Sequence, residues 1–451
     1  MTAFPRDFLW GAATSAYQIE GSPLADGAGP SNWHLFTHIP GNTVDGATGD
    51  LACDHYRRWP EDIGIMRELG LQAYRFSLSW SRILPEGTGG VNRRGLDFYE
   101  RLTDALLAAG IQPVPTLFHW DLPATLDERG GWVNRDSAGW FADYAEVVFR
   151  RLGDRVRRWT TLNEPWVIVD AGFVHGVHPP GLTDLGAAAH AAHNLLRAHG
   201  QAVRCYRAHG DGEIGIVVNL EPKDAASETA ADRAATRRAD AYMNRQFLDP
   251  LLLGQYPEEL AEVFGPDRPE FPPDDFALIG EPIDFLGLNY YTRSVNRHDP
   301  EAAPVFASPV RQPGAEYSEM GWEVHPASLV RALVWLKERY GDRPIYITEN
   351  GGAFVDPAPD ADGRIVDRPR REYIRRHLLA VREAMARGVD VRGYFAWSLM
   401  DNFEWACGNE KRFGIVRVDP VTLDRTVKES GWFYRDVIAS QGEVLDQEEN
   451  T

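Results

Sequence analysis

Strand-length and helix-length patterns alternate along the whole chain, and this alternation limits the fold more than any other feature. Eight short runs rich in β-branched and aromatic residues are each followed by a helical pattern or a long loop. Strands alternating with helices predict βαβ units around a parallel sheet. Eight units that close on themselves predict an α/β fold, a (β/α)8 TIM barrel with long βα loops. The predicted strands begin at Phe8 and then cover 73–77, 112–118, 158–164, 214–219, 285–291, 345–348 and 393–398.

The 451 residues contain no Ser/Gly-rich linker, no break in composition and no short repeat. This length fits either two or three average domains or one large barrel. Because the alternation is uninterrupted, we predict a single (β/α)8 domain over residues 1–451. The segment 293–322 is predicted to be a loop.

Charge and cysteine content exclude several classes of protein. The formal charge is −19 and Lys and Arg are scattered, so the basic surface that nucleic-acid binding requires is missing. No apolar stretch reaches the length of a membrane span, and the first residues do not resemble a signal peptide. Cys53, Cys205 and Cys407 are too widely spaced for a disulfide framework, which favours a reducing cytoplasm. The oligomeric state stays open.

Two predicted strands end in glutamate. The run 345–348 barely alternates between apolar and polar residues, so both faces are expected to be covered, and Glu349 follows it. A carboxylate there is costly to bury unless it is paired or used, although it could also cap the turn or pair with an arginine. The run 158–163 likewise ends at Glu164, which precedes Pro165 and is therefore expected to be extended. Two carboxylates at one barrel face are the equipment of glycoside hydrolysis.

Other polar and aromatic residues also fall at or just after strand ends, which converge on one face of a barrel. Each has a structural alternative when taken alone: Gln18 could cap a turn, and His119 could be a core histidine. Their coincidence at successive strand ends predicts one shared site. The residues concerned are Gln18, Arg75, His119, Trp120, Asn163, Asn289, Tyr291 and Trp397.

Metal and cofactor motifs are incomplete. His119 with Asp121, and His175 with His178, lack the further ligands of a zinc site such as His-Glu-x-x-His. No Gly-x-Gly-x-x-Gly, P-loop or Gly-x-Ser-x-Gly motif is present. We therefore expect no metal and no cofactor.

Four segments, in matching order, resemble the signature segments of glycoside hydrolase family 1 β-glucosidases. The likeness runs from about residue 4 to about residue 438. It implies that Glu164 is the general acid/base and Glu349 the nucleophile of a retaining double displacement, with the two carboxyls about 5 Å apart. Arg75 and Tyr291 are then expected to keep Glu349 charged and oriented. The segments are Phe8–Gly21, Thr161–Pro165, Ile347–Gly351 and Trp397–Gly414.

The resemblance also implies a set of sugar-binding residues. Gln18 and Glu404 match the pair that grips the outer hydroxyls of the glycone. Relatives that cleave 6-phosphoglycosides have Ser and Tyr at the positions of Glu404 and Phe413, so an unphosphorylated sugar is expected. The remaining glycone positions are His119, Trp120, Asn163, Asn289, Tyr291, Trp397 and Trp405, and the aglycone-side positions are Trp166, Val167, Phe173, His178 and Trp322.

The expected function is hydrolysis of terminal non-reducing β-D-glucosyl residues from cellobiose and other short β-glucosides. The expected partner is therefore a small oligosaccharide or an aryl or alkyl β-glucoside. Three alternatives stay open: a broad β-glucosidase/β-galactosidase/β-fucosidase, a transglycosylase, and a non-catalytic sugar-binding barrel.

Overall fold

Eight parallel strands close into a barrel in the computed structural model, which describes residues 3–265 and 268–447. Each strand pairs with its neighbours in chain order, and the last pairs with the first. The predicted (β/α)8 barrel is therefore confirmed. Residues 1, 2, 266, 267 and 448–451 of the predicted domain lie outside the described part. The strands are β1 (Leu9–Ala13), β2 (Ala73–Ser77), β3 (Gln112–Phe118), β4 (Arg158–Asn163), β5 (Glu213–Asn219), β6 (Phe285–Asn289), β7 (Ile345–Asn350) and β8 (Val391–Trp397).

Apolar side chains fill both sides of the barrel wall. Every residue of β6 and β7 is buried, as expected for a parallel sheet wrapped by helices. A small cluster inside the barrel includes Val114, Phe285, Tyr346 and Phe395. A much larger cluster packs the outer wall against the helices. The interior is therefore packed below the strand ends, which leaves room for a cavity only at one end.

Helices follow or flank every strand. No helix in the described part of the chain is long and apolar enough to cross a membrane. Two π-helical segments occupy Asp170–Val174 and Ala241–Arg245. The α-helices are Ala16–Ile19, Asn32–Thr37, His55–Glu68, Trp80–Ile83, Arg93–Ala108, Ala124–Asp127, Ser137–Leu152, Pro165–Val169, Leu185–His209, Ala230–Asp240, Gln246–Leu253, Leu260–Phe264, Pro273–Ile279, Pro326–Tyr340, Arg368–Ala386 and Glu429–Ala439.

The segment 293–322 is not simply a loop, so that prediction was wrong. Ser294–His298 pairs in parallel with Lys223–Ala225 and antiparallel with Ala307–Pro309, which makes a three-stranded sheet beside the barrel. These strands are short, and Ser294–His298 carries mostly polar residues, so apolar periodicity did not mark them. One partner comes from the loop after β5, a pairing that local patterns do not encode.

A buried charge network lies beneath the loop that follows β8. Lys428 Nζ is 2.7 Å from Asp356 Oδ2 and 2.8 Å from Asp401 Oδ1. Arg370 Nη1 lies 2.7 Å from the other oxygen of Asp356. Because breaking a buried pair leaves an uncompensated charge, this network holds the loop in place. The same loop carries Glu404 three residues beyond Asp401.

Gly351 allows the ends of β7 and β8 to approach closely. A Cβ atom at this position would lie 1.8 Å from the backbone oxygen of Trp397. Backbone oxygens do not move aside as a flexible side chain does, so only glycine fits here. This contact fixes Glu349, two residues earlier, relative to the end of β8.

We expect Gly351→Ala to destabilise the protein by at least about 2 kcal/mol, because the new methyl group forces the two strand ends apart. Gly64→Ala is the matched control. Gly64 is exposed within the helix His55–Glu68 and its Cβ would meet no atom within 4 Å, so this change should stabilise by about 0.5–1 kcal/mol. Thermal unfolding midpoints of the two variants should move in opposite directions. Equal midpoints would show that the close approach is not needed.

Candidate active site

A cavity of about 410 Å³ opens at the carboxyl end of the barrel. Its volume lies within the range of small-molecule sites. Side chains from the strand ends and from the long loops line it together, as the sequence predicted for a shared site. The predicted residues in the lining are His119, Trp120, Glu164, Trp166, Val167, His178, Asn289, Tyr291, Trp322, Glu349, Trp397, Glu404 and Trp405.

Glu349 lies within β7 and has two strong hydrogen-bond donors. Arg75 Nη1 donates to its Oε1 at 2.6 Å, and the Tyr291 hydroxyl donates to its Oε2 at 2.6 Å. Arg75 is fully buried and Glu349 is nearly so. Charge-assisted bonds of this kind favour the ionised carboxylate. Burial raises the pKa of Glu349, and the Arg75 charge and the Tyr291 hydroxyl oppose that rise.

Glu164 follows β4 directly, but its backbone is not extended, so that prediction was wrong. Its φ and ψ angles are 46° and 61°, in the left-handed region. A following proline disfavours the right-handed α region, and the left-handed region offers another way to turn. The turn leads directly into the helix that starts at Pro165. A positive φ in a residue with a side chain costs about 1–3 kcal/mol, and it aims this carboxyl into the cavity.

A network of amides joins the two glutamates. Arg75 Nη2 donates to Asn163 Oδ1 at 2.7 Å, and Asn289 Nδ2 donates to the same oxygen at 3.1 Å. Asn289 Nδ2 also donates to Glu164 Oε1 at 2.8 Å. An unbroken chain of contacts therefore runs from Glu349 through Arg75, Asn163 and Asn289 to Glu164. Neither Arg75 nor Asn163 lines the cavity; both support residues that do.

The two glutamates have different electrostatic surroundings. Burial, together with the charge of Glu349, raises the pKa of Glu164 to about 8. Glu164 receives a hydrogen bond from the neutral amide of Asn289, whereas Glu349 faces the positive charge of Arg75. At neutral pH the proton of the pair therefore resides on Glu164, and Glu349 is ionised.

His119 is a neutral, oriented imidazole. Burial and the nearby Arg75 charge hold its pKa well below the usual value. Asn163 Nδ2 donates to its Nε2 at 3.1 Å, which places the ring proton on Nδ1. The ring stacks near Trp397, with centroids 5.8 Å apart.

Glu404 lines the far end of the cavity, and Gln18 is buried behind it without lining the cavity itself. Gln18 lies within the short helix Ala16–Ile19, beyond the end of β1, so it is not a strand-end residue as predicted. Its Nε2 lies 2.8 Å from the Phe403 oxygen and 3.3 Å from Glu404 Oε2. Burial, together with the charge of Glu349, raises the pKa of Glu404 to about 8.

Aromatic rings form one wall of the cavity. Trp405 packs against Trp120 at 4.6 Å and against Trp33 at 4.5 Å between ring centroids. Trp120 Nε1 donates to the backbone oxygen of Asn163 at 2.9 Å. Like Glu164, both Trp120 and Trp405 have positive φ angles, 85° and 53°. Flat apolar faces of this kind suit the C–H faces of a sugar ring.

The entrance side contains most of the predicted aglycone positions. Trp166, Val167, His178 and Trp322 line the cavity, and burial lowers the pKa of His178 to about 4, so its ring is neutral. Phe173 does not line this cavity. It is buried behind His178, against a separate small pocket, because its π-helical turn faces inward.

Several residues that line the entrance of the cavity were not predicted from the sequence. Asn219 ends β5 and could have been found by the same strand-end argument as the other site residues. The others lie outside the barrel strands, on loops, on the short strand Lys223–Ala225 and in the π-helical segment Ala241–Arg245, where no periodic pattern marks a side chain as facing the cavity. The missed lining residues are Asn219, Leu220, Glu221, Lys223, Met243, Thr292, Met320 and Ala406.

One group of histidine and carboxylate side chains in the described residues has metal-ligand spacing. It consists of His34, His38 and Asp50, and none of these residues lines the cavity.

Folding raises the pKa of Glu164 to about 8, against about 4.3 for a free glutamate. The stabilisation from the protonated form is fully present when the pH is below the pKa of the free glutamate. It is lost as the pH rises through the pKa of Glu164 in the folded protein. Glu164→Gln keeps an acceptor for Asn289 but cannot ionise. We expect it to exceed wild type in stability by on the order of 3 kcal/mol at about pH 9, and by much less near pH 5.

Thermal unfolding midpoints across this pH range measure the difference. Glu86→Gln, which alters an exposed glutamate that does not line the cavity, serves as control and should show no such trend. A pH-independent difference between Glu164→Gln and wild type would contradict a proton held on Glu164.

Comparisons with known proteins identify the family of this chain. The family model "Glycosyl hydrolase family 1" matches residues 1–443. Beta-glucosidase A of Thermotoga maritima is 51% identical over 441 residues, 97% of this chain and 98% of that protein. A 1,4-beta-D-glucan glucohydrolase of Thermotoga neapolitana is 50% identical over 444 residues, 98% of this chain and 99% of that protein. The structure of the Thermotoga maritima beta-glucosidase with glucoimidazole superposes with a TM-score of 0.95 at 50% identity, covering 98% and 100% of the two chains. Matched over nearly its full length, the chain belongs to glycosyl hydrolase family 1.

Proposed function

We propose that this protein is a retaining exo-β-glucosidase that removes terminal glucosyl residues from cellobiose and other short β-glucosides. One observation carries the proposal: two buried glutamates face one cavity, and their surroundings favour a proton on Glu164 and a charge on Glu349. Glycoside hydrolysis by retention needs one carboxyl in each state. The described chain acts in this proposal as a single catalytic domain.

In the first step, a Glu349 oxygen attacks the anomeric carbon from the α face. The bond between that carbon and the glycosidic oxygen breaks, and Glu164 gives its proton to the departing oxygen. The product is a glycosyl ester of Glu349. Arg75 and Tyr291 hold the attacking carboxylate in orientation, so little reorganisation is needed at the moment of reaction.

In the second step, the environment of Glu164 changes. Esterification removes the negative charge of Glu349, which had helped to raise the pKa of Glu164. Glu164 is then a carboxylate, takes a proton from water, and the resulting hydroxide attacks the anomeric carbon. The ester bond breaks, Glu349 is released as a carboxylate, and the sugar leaves with the configuration it had at the start.

The closed end of the cavity supports exo action on an unphosphorylated sugar. Gln18, Phe403 and Tyr17 are buried behind Glu404 and Trp405, so the glycone cannot extend further. A carboxyl at Glu404 can accept hydrogen bonds from sugar hydroxyls, and when ionised it repels a phosphate. His119 lines the cavity beside the glutamates and can bond an inner hydroxyl. Asn163 lies directly behind it, and in this proposal its amide reaches the 2-hydroxyl of the bound sugar.

Two further properties complete the proposal. The beta-glucosidase and glucan glucohydrolase names of the Thermotoga relatives support glucose as the glycone and a place in β-glucan breakdown. All three cysteines are free, which supports a reducing cytoplasm.

We expect Glu349→Gly and Glu164→Ala to lower kcat/KM on an aryl β-glucoside by at least about 10³-fold, because each removes one half of the acid and nucleophile pair. Added azide should restore turnover in both with opposite stereochemistry. It attacks from the vacated α side in Glu349→Gly and gives the α-azide. In Glu164→Ala it attacks the ester and gives the β-azide. Product anomers are read by NMR.

Glu86→Ala, at the exposed glutamate, is the control and should keep wild-type rates. Wild-type turnover no faster than that of the two glutamate variants would instead support a non-catalytic sugar-binding barrel. A product of inverted configuration from the wild-type enzyme would exclude the double displacement.

We expect glucosides to give the highest kcat/KM among p-nitrophenyl β-gluco-, galacto-, fuco-, manno- and 6-phosphoglucosides, and the 6-phosphoglucoside at least about 100-fold less, a difference of about 2.7 kcal/mol. Glu404→Ser should lower the glucoside value, because an acceptor for sugar hydroxyls is lost. It should narrow the gap to the 6-phosphoglucoside most above about pH 8, where Glu404 is ionised and repels the phosphate. Gly64→Ala serves as control.

Similar values for gluco-, galacto- and fucosides would support the broad-specificity alternative. Longer oligosaccharides as main products from cellobiose would support a transglycosylase. A 6-phosphoglucoside preferred by the wild type would contradict the assignment of Glu404.

A further inference from the structure

His34, His38 and Asp50 form a compact group on the surface behind the aromatic wall. His34 lies in the helix Asn32–Thr37 and His38 immediately follows it, so the two side chains are four residues apart on one helical face. Asp50 comes from the next loop. Its Oδ1 is 3.3 Å from His34 Nδ1, and its Oδ2 is 3.1 Å from His38 Nε2. One atom from each of the three residues lies within 4.8 Å of the others.

These spacings match the first coordination sphere of a tetrahedral metal. Ligands held at about 2.0–2.1 Å from zinc in tetrahedral geometry lie about 3.3 Å from one another. The two separations between histidine nitrogens and Asp50, 3.3 and 3.1 Å, are close to this value but end on different carboxylate oxygens. The three ligand atoms, which now lie within 4.8 Å of one another, must therefore draw together around a bound cation. His38 and Asp50 are roughly half exposed, which gives the ion a path from solvent.

The hydrogen bonds of the two histidines also suit metal binding. His38 Nδ1 lies 2.6 Å from the backbone oxygen of His34, to which it can only donate. Nε2 faces Asp50 and offers its lone pair to a metal ion once the ion displaces the ring proton. A ligating histidine commonly donates its second ring nitrogen to a carbonyl in this way. His34 Nδ1, the ring atom nearest Asp50, makes no hydrogen bond within the described part of the chain and is the ligand atom that this residue offers.

We propose that His34, His38 and Asp50 form a binding site for a divalent transition-metal ion of the Zn²⁺ type. Two imidazoles and one carboxylate select such an ion over Mg²⁺ or Ca²⁺, which prefer oxygen ligands. The fourth position faces solvent and is filled by water. The site is separate from the two glutamates and takes no part in the bond-breaking steps.

A bound ion would join two segments that support the glycone end of the cavity. The helix of His34 also carries Trp33, which packs against Trp405. The loop of Asp50 donates the Gly49 N–H to the hydroxyl of Tyr17, which neighbours Gln18. Metal occupancy therefore cross-links the outer support of the cavity wall and should stabilise the fold.

Isothermal titration of the tag-free, chelator-treated enzyme with Zn²⁺ tests the proposal, with Mg²⁺ as the comparison ion. We expect one equivalent of Zn²⁺ to bind and to raise the thermal unfolding midpoint. His38→Ala and Asp50→Asn should each weaken binding at least about tenfold and abolish the rise. His175→Ala is the matched control, because His175 is an exposed histidine 3.5 Å from Asp170 that belongs to no such group of three.

Unchanged Zn²⁺ affinity in His38→Ala and Asp50→Asn would overturn the proposal, as would an equal loss in His175→Ala. So would the absence of saturable Zn²⁺ binding in the wild type, or equal binding of Mg²⁺. Because the readouts are heat of binding and unfolding temperature, a failed glucosidase assay would not affect this test.

Discussion

The buried ion pair between Arg75 and Glu349 is the interaction on which the site depends. Placing two carboxyls in one dry cavity is unfavourable unless one stays protonated or one finds a positive partner. Arg75 supplies that partner for Glu349 at 2.6 Å, and Glu164 keeps the proton. The division of labour between two chemically identical side chains therefore follows from where a single guanidinium lies.

The barrel makes this arrangement possible by bringing distant segments together. Arg75 and Glu349 lie in β2 and β7, Glu164 directly follows β4, and the parallel strands bring all three to one end of the barrel. The packed interior below and the buried charges around Lys428 resist movement of that end. Rigid support of this kind matters because small displacements of reacting groups lower rates sharply.

Much of this molecule could be predicted from its sequence, for physical reasons that also explain the failures. Alternating strand and helix patterns are local, so the barrel and the two strand-end glutamates were accessible. The left-handed turn at Glu164 could not be predicted. A following proline disfavours the right-handed α region but leaves both the extended and the left-handed regions open. The strand Ser294–His298 and the entrance residues near Glu221 depend on contacts between remote loops, which no local pattern contains. His34 and Asp50 are likewise joined only by the fold.

Three residues at the cavity have positive φ angles, in the left-handed region: Trp120, Glu164 and Trp405. Residues with a Cβ atom rarely adopt this conformation, so the backbone at these positions is strained and the surrounding packing must offset the strain. Replacing any of these residues by glycine would relieve the backbone strain but would also remove the functional side chain. Selection for thermal stability alone would therefore favour replacement of these cavity residues while the barrel itself is kept.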